Sequence, residues 1–546
     1  MNTKRISVWM VMLALVLLTP AGCKKITNPL DNLKLIIDYN LIKTTVDFHI
    51  KDASTGQYLG SEVSLQALII IAGRDAQGIV DPIGGKLKDN SIKVNRGLAS
   101  VGISPAPAYT PSADKPVQFS IVVKAPGYLT TTRQVSITST GRHFVEVSLV
   151  QLNNTPNGVT ATQQNGAATL QNGSVSASSV VVLPNAGTSL SIPQGLIMKD
   201  AGGNLLQGEV NVTIVHFDPT QTQAVNAFPG GLLPTVKRAD GSVQKGAFYT
   251  AGFVAIQVTD QNGRVAANFQ NGALGLTTEI NSQVYNPNNN GPVASGNTVG
   301  IWSLNEGNGQ WQEEGSATIV SEDGKLKVTA NLTHLSYYAF NWFSGNICEQ
   351  GRPFVFNITP ALQGSFLIGA KVYRQADGAL LTRALMWVSN GEPVYMTGMP
   401  RNTPIQIEWD TENSPFLIVD PGSQHMLLDE LCGTTPAEVN LIRSSAQLTT
   451  ITFDVSVFCV NKPDVVIYPS FTAYCQLLSG GPIIPIEMVQ GQATVSGIIL
   501  GENYYIWVVY DGEEYGTEAT ATQNTYSFLD FEIPADVCDE VFGGGK

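Results

Sequence analysis

The sequence predicts an all-β fold, a multidomain string of antiparallel β-sandwiches, on three observations. Apolar residues recur at every second position: Val46, Phe48 and Ile50 alternate with Asp47, His49 and Lys51, and Val210, Val212 and Ile214 alternate with Asn211 and Thr213. Val254, Ile256 and Val258 repeat the pattern, as do Leu326, Val328, Ala330 and Leu332. A period of two puts the apolar set on one face of a sheet, and long stretches of helical period are missing. Between these runs stand turns such as Asp200-Ala-Gly-Gly-Asn204, Ala239-Asp-Gly241, Asp260-Gln-Asn-Gly263, Glu322-Asp-Gly324 and Asp511-Gly512, whose Gly and Asn tolerate the positive φ of a tight hairpin. None has the D-x-D-x-D-G spacing of a calcium loop, so they are read as turns. Charged residues are only 14% of the chain, the balance of a turn-rich β protein that works outside the cytoplasm.

The first element is a processing signal. Lys4 and Arg5 precede an apolar run from Ile6 to Leu18, and small residues stand directly before Cys23. A run this short, with a basic front and a small-residue exit, reads as a signal peptide over residues 1–22, since a membrane span needs about 20 apolar residues. Ala21-Gly22-Cys23 resembles the lipobox of bacterial lipoproteins, with Pro20 where that family usually has Leu. The resemblance implies cleavage before Cys23 and lipidation of its thiol, followed by a tether over 23–34. Acyl chains contribute about 0.8 kcal/mol per buried CH₂, enough for stable anchoring. Lys24-Lys25 follows with no Asp, so inner-membrane retention is not signalled and the outer membrane of the cell envelope is expected. The acidic cluster that marks surface export in some Bacteroidota lipoproteins is absent after Cys23, leaving the periplasmic and surface faces both open.

About 524 residues remain after that cut, enough for roughly three to five domains. Loss of Lys4 and Arg5 takes the net charge from −13 to −15, and no run of Lys and Arg interrupts it. Attraction to phosphate backbones requires such clusters, so nucleic acid is excluded as a partner. Beyond Cys23, five cysteines (Cys348, Cys432, Cys459, Cys475 and Cys538) lie in the last 200 or so residues. Their absence from any C-x-x-C spacing makes them structural candidates for disulfides in an oxidising compartment rather than metal ligands. Cys348 with Cys432 would staple one domain, and Cys538 with Cys459 or Cys475 the next. An odd count leaves at least one thiol free or paired between chains.

Residues 35–152 are expected to be the first sandwich. Ile50-Lys-Asp-Ala-Ser-Thr-Gly-Gln-Tyr-Leu59, leading to Val63-Ser-Leu65, resembles the carboxypeptidase regulatory-like, transthyretin-type sandwich, as does Val122-Val-Lys-Ala-Pro-Gly-Tyr128. Residues 153–178 are polar and lack aromatics, which predicts a linker. Residues 179–345 form the next unit: Ser189-Leu-Ser-Ile-Pro-Gln-Gly-Leu196 resembles the opening of ZU5-like sandwiches. Val215-His-Phe-Asp-Pro219, Gly300-Ile-Trp-Ser-Leu304 and Thr333-His-Leu-Ser-Tyr337 match a related lipoprotein pattern, with Leu335 where Phe is usual. Two further sandwiches are expected over 346–446 and 447–542. They share a faint repeat: Gly398 is followed by Ile405 and Ile407, and Gly497 by Tyr504 and Ile506, at the same spacing. Residues 543–546 are expected to be a disordered tail.

Chemistry is sparsely signalled. The five histidines (His49, His143, His216, His334 and His425) form no H-E-x-x-H or H-x-H, and no nucleophile elbow or phosphate loop is present. No catalytic residue, metal or cofactor is therefore expected. His49 and His143 fall in polar strand phases and are expected to face solvent. His216 with Asp218 is read as a strand end before a ligand pair, and Glu313-Glu314 as a solvated turn. One constellation carries a reaction by resemblance: related eukaryotic ZU5 modules cut themselves at a His-Phe/Ser sequence, which implies attack by Ser336 on the Leu335 carbonyl with His334 as base. Such a step needs proximity and an activated hydroxyl.

The leading expectation is a non-enzymatic, membrane-anchored envelope lipoprotein that binds a protein or glycan, or scaffolds an assembly, through its sandwiches. The alternatives are the autoprocessing module at Leu335/Ser336 and an accessory subunit of an outer-membrane uptake system. Tyr504-Tyr-Ile-Trp-Val-Val-Tyr510 is the best single aromatic patch; a glycan platform predicts it exposed, core packing predicts it covered.

Overall fold

A computed structural model describes residues 35–38, 42–362, 365–444, 447–522 and 525–533, with 535 and 539. The leader, Cys23, the tether and the 543–546 tail lie outside the described residues. Antiparallel sheets dominate and form four modules: three pair two sheets each, and in the fourth a single nine-stranded sheet closes around its own core. The alternating residues explain why: Val46, Phe48 and Ile50 are all 0% exposed and meet Ile69, Phe119 and Ile121 of the facing sheet. The second module is the largest, with an 11-stranded sheet against a five-stranded one.

The other three modules share one arrangement. In the first, Thr44–Asp52 lies between Leu98–Ile103, antiparallel, and Gly141–Leu149, parallel. In the third, Ile347–Thr359 lies between Pro393–Pro400, antiparallel, and Ala437–Arg443, parallel. In the fourth, Leu448–Cys459 pairs with Gln492–Ile499, antiparallel, and Thr525–Ile533, parallel. Each module's opening strand thus sits beside both a middle strand and its closing strand. The repeated glycines fall on the two equivalent middle strands, Gly398 at φ 71° and Gly497 at φ 81°. Gly497 is the extra residue of a β-bulge between Thr449 and Thr450, a place where left-handed backbone favours glycine.

Four expectations are corrected. Residues 153–178 are no linker: Val159–Gln171 is a 13-residue strand paired to Gly208–Phe217, and its own Ala168 and Leu170 are buried. Its polar composition reflects one exposed face, because pairing of the backbone does not require apolar side chains on both faces. Residues 35–38 do not open the first sandwich; Leu35–Asp38 runs parallel to Lys462–Tyr468 of the fourth module. Glu313 and Glu314 are not a turn. They lie in the strand Gln310–Thr318, where Glu313 meets Arg238 at 2.8 Å and Glu314 accepts from Ser303 at 2.6 Å.

The largest correction concerns Asp47, His49 and Lys51. All nine residues of Thr44–Asp52 are buried, polar phase included, because other modules cover that face. The hydroxyls of Ser100 and of Thr472, in the fourth module, donate to the Asp47 carboxylate, with Arg142 at 3.7 Å. Lys51 lies 2.9 Å from Glu146, which is also 3.2 Å from Arg383 of the third module. A buried charge must be paired or hydrogen-bonded, and these partners meet that need.

Further contacts bind the modules together. The Asn305–Gly309 turn of the second module lies on the first, with Ser120 donating to the Asn308 carbonyl and Thr132 to that of Glu306. Arg374 of the third module, 1% exposed, pairs with Asp377 at 2.7 Å and lies 3.5 Å from the Tyr249 ring centroid of the second. The aromatic strand Asn503–Tyr510 is covered on both faces. Tyr504, Ile506, Val508 and Tyr510 enter the fourth module's core, while Trp507 and Val509 pack on Leu98 and Tyr58 of the first. It is a junction, and no aromatic platform stands there.

Cys348 and Cys432, 84 positions apart in sequence, form a disulfide across the third module. Cys459 is also disulfide-bonded; Cys538 lies outside the described residues. Cys475 is a free, buried thiol, and burial pushes it up to about 12.

Candidate functional site

Ser336 is 3% exposed, and its hydroxyl is fully committed. It donates to the Leu304 carbonyl and accepts from the Leu304 N–H at 3.0 Å, so it ties the segment onto the strand Thr298–Asn305. His334 turns elsewhere: its Nδ1 lies 3.1 Å from the Tyr338 hydroxyl and its Nε2 is 3.7 Å from Glu314. Leu335 donates its N–H to the Ala267 carbonyl at 3.0 Å. The sequence-predicted trio is adjacent in the chain, yet the structure does not bring base and nucleophile together, as the proposed attack would need. His216 is buried, which holds its imidazole below the usual range, and no group of three potential metal ligands exists among the described residues.

A broad concavity lies where the first three modules meet. It has a volume of about 690 Å³. Its walls come from edge strands: Thr131–Ile137 and Gly141–Leu149 of the first module, Val243–Lys245 of the second, and Leu380–Ser389 and Pro393–Pro400 of the third. An edge strand is short of partners on one side, and here five of them converge and shield one another. The large apolar side chains at the wall point into module cores, with Phe119 2%, Phe228 4% and Val135 5% exposed. Val243, 62% exposed, and the half-buried Leu233 remain at the wall, so the surface offered inside is shared between polar and apolar groups.

Four cations line the cleft (Arg74, Arg133, Lys245 and Arg383) against one acid, Glu146. Burial raises the Glu146 carboxyl, but Lys51 and Arg383 more than offset this and hold it below the ordinary range. Arg133 donates to the Glu146 backbone carbonyl. Arg383 reaches Glu146 through Nη1, while its buried Nε has no protein acceptor. Nothing in the sequence singles out these four residues. They come from three modules: Arg133, Lys245 and Arg383 stand singly in strands, and Arg74 lies in a turn beside its partner Asp75.

His49 lies directly behind this floor. It is 1% exposed, and burial pushes its imidazole down from 6.5 to about 4, with Lys51 adding to the effect and Glu146 opposing it. A histidine depressed in this way leaves stability intact above pH 6.5, and stability is lost as pH falls from 6.5 to about 4. The loss amounts to about 3 kcal/mol from the shift itself. His49→Gln is expected to flatten that acid limb. Urea unfolding at pH 7 and pH 4.5 measures it, and an equal pH drop in both proteins would rule it out.

No protein-family model matches the chain, and the curated proteins contain no match to it. Among solved structures it is similar to the shaft pilin SpaA from Lactobacillus rhamnosus GG, at 8% identity and a TM-score of 0.17, over 34% of this chain and 98% of that one. It is similar also to GBS52, a minor pilin of Streptococcus agalactiae, at 9% identity and a TM-score of 0.14, over 34% and 95%. The Bacillus anthracis TIE protein shares 8% identity at a TM-score of 0.15, over 68% and 74%. Similarity at this level carries no function across.

Proposed function

We propose that this chain is a non-enzymatic envelope protein, lipid-anchored at Cys23 in the outer membrane, that binds a partner through its packed sandwich modules. The observation that carries the reading is the cleft built jointly by three modules. A concave site of this size with convergent polar groups is the ordinary form of a binding site, while the committed hydroxyl of Ser336 favours a structural role for that segment. In this reading the first sandwich is a carboxypeptidase regulatory-like module and the second a ZU5-like unit, both serving as framework. Fold alone does not assign activity, and the anchor rests on Ala21-Gly22-Cys23. Among the described residues no helix is long and apolar enough to cross a membrane.

Intact-mass measurement on protein extracted from membranes tests the proposal. A single chain starting at an acylated Cys23 is expected, and Cys23→Ser should abolish both the acyl mass and membrane retention. Two fragments meeting between Leu335 and Ser336 would instead reveal an autoprocessing module. An unacylated start elsewhere would refute the anchor.

A further inference from the structure

The geometry points to an acidic oligosaccharide, one carrying carboxylate or sulfate groups, as the ligand of the three-module cleft; this inference rests on the binding role proposed above. The first ground is charge. In a chain of net charge −13, the cleft gathers four cations; Arg74 is paired with Asp75 at 2.8 Å and Arg383 with Glu146 at 3.2 Å, which leaves Arg133 and Lys245 in excess. Clustered cations within a concave wall focus the field and draw anions inward. Arg133 and Arg383 supply planar guanidinium groups, whose paired N–H donors match a carboxylate or sulfate.

The second ground is the remaining lining. Gln118, Gln134, Ser136, Thr235 and Gln310 bring amides and hydroxyls to the same space, a surface suited to a ligand dense in hydroxyl groups. At about 690 Å³ the cleft is far larger than one inorganic anion requires, and it falls within the roughly 300–1,000 Å³ typical of sites for multi-ring ligands.

An acidic peptide is the competing occupant, and the broken edge of the wall disfavours it. A peptide added as a strand needs a continuous edge, commonly about five residues or more. The longest consecutive stretches at the wall are Arg133–Ser136 and Leu380–Arg383. Because the cations come from separate modules, a bound acidic chain would also bridge them and tighten their packing.

The experiment uses the full mature protein in detergent on an array of uronate-, sialate- and sulfate-bearing glycans, neutral glycans and Glu-rich peptides. Acidic glycans should be retained above neutral ones. Arg383→Gln should lower that signal at least tenfold, and Lys245→Glu, at an exposed position, at least threefold with an unchanged melting temperature. Retention of neutral glycans or of the peptides alone would overturn the inference while leaving a binding role standing. Acidic-glycan retention that both variants preserve would place the site elsewhere and overturn it equally. Silence across the array would overturn it too. The acyl mass at Cys23 reads the anchored role separately from every one of these outcomes.

Discussion

Replacing Trp507 by alanine is expected to cost about 3–5 kcal/mol and to loosen the fourth module from the first. Trp507 is 0% exposed, stacks on Tyr505 at 5.4 Å between ring centroids and lies 5.7 Å from Tyr474. Arg96 of the first module sits over it at 5.3 Å, and Leu98 packs beside it. Truncation removes a large buried surface and leaves a cavity between two rigid sheets that cannot readily collapse. Loss at a junction also has a signature that loss within one core lacks. The fourth module should unfold in a separate, lower-temperature calorimetric transition, and protease should cut between the third and fourth modules under native conditions. A single unshifted transition would show that the junction contributes little.

Removing the Cys348–Cys432 disulfide is expected to be comparably damaging. The two residues are 84 apart in sequence, and closing a loop of that length restrains the unfolded chain by about 4–5 kcal/mol on the chain-entropy account. The bond joins the module's opening strand to the segment before its closing strand, so it restrains nearly the whole third module. Cys348→Ser with Cys432→Ser should lower the urea midpoint of that module and leave the first module's midpoint near its original value. Treatment of the wild-type protein with reductant should reproduce the shift. A change below about 1 kcal/mol would mean that packing alone holds the module.

The all-β character was legible wherever one sheet face is apolar, as at Val46, Phe48 and Ile50. It was not legible where the other face is also covered. Asp47, His49 and Lys51 look like a solvated stripe, because alternation reports which residues differ in polarity and says nothing about what lies against the polar set. The segment 153–178 failed for the converse reason: Val159–Gln171 completes a large sheet through backbone pairing that its polar side chains do not advertise. The aromatic strand shows both effects, since its two phases serve two different cores.

The candidate site was the least legible part. Ser336 drew notice because its neighbours in sequence include a histidine, yet the hydroxyl is held by the Leu304 backbone, on a strand some thirty residues earlier. Arg74, Arg133, Lys245 and Arg383 drew none, since a lone basic residue in a strand or turn ordinarily faces water. By itself, the sequence determined the strand period, the turns, the acidic balance, the absence of basic clusters and the Ala21-Gly22-Cys23 signal, all of which are local properties of neighbouring residues. Only the tertiary structure decided that the modules pack around the first one, that its polar strand face is buried, and that four scattered cations share one cleft. Those outcomes depend on contacts between residues hundreds of positions apart, and no local pattern encodes such distances.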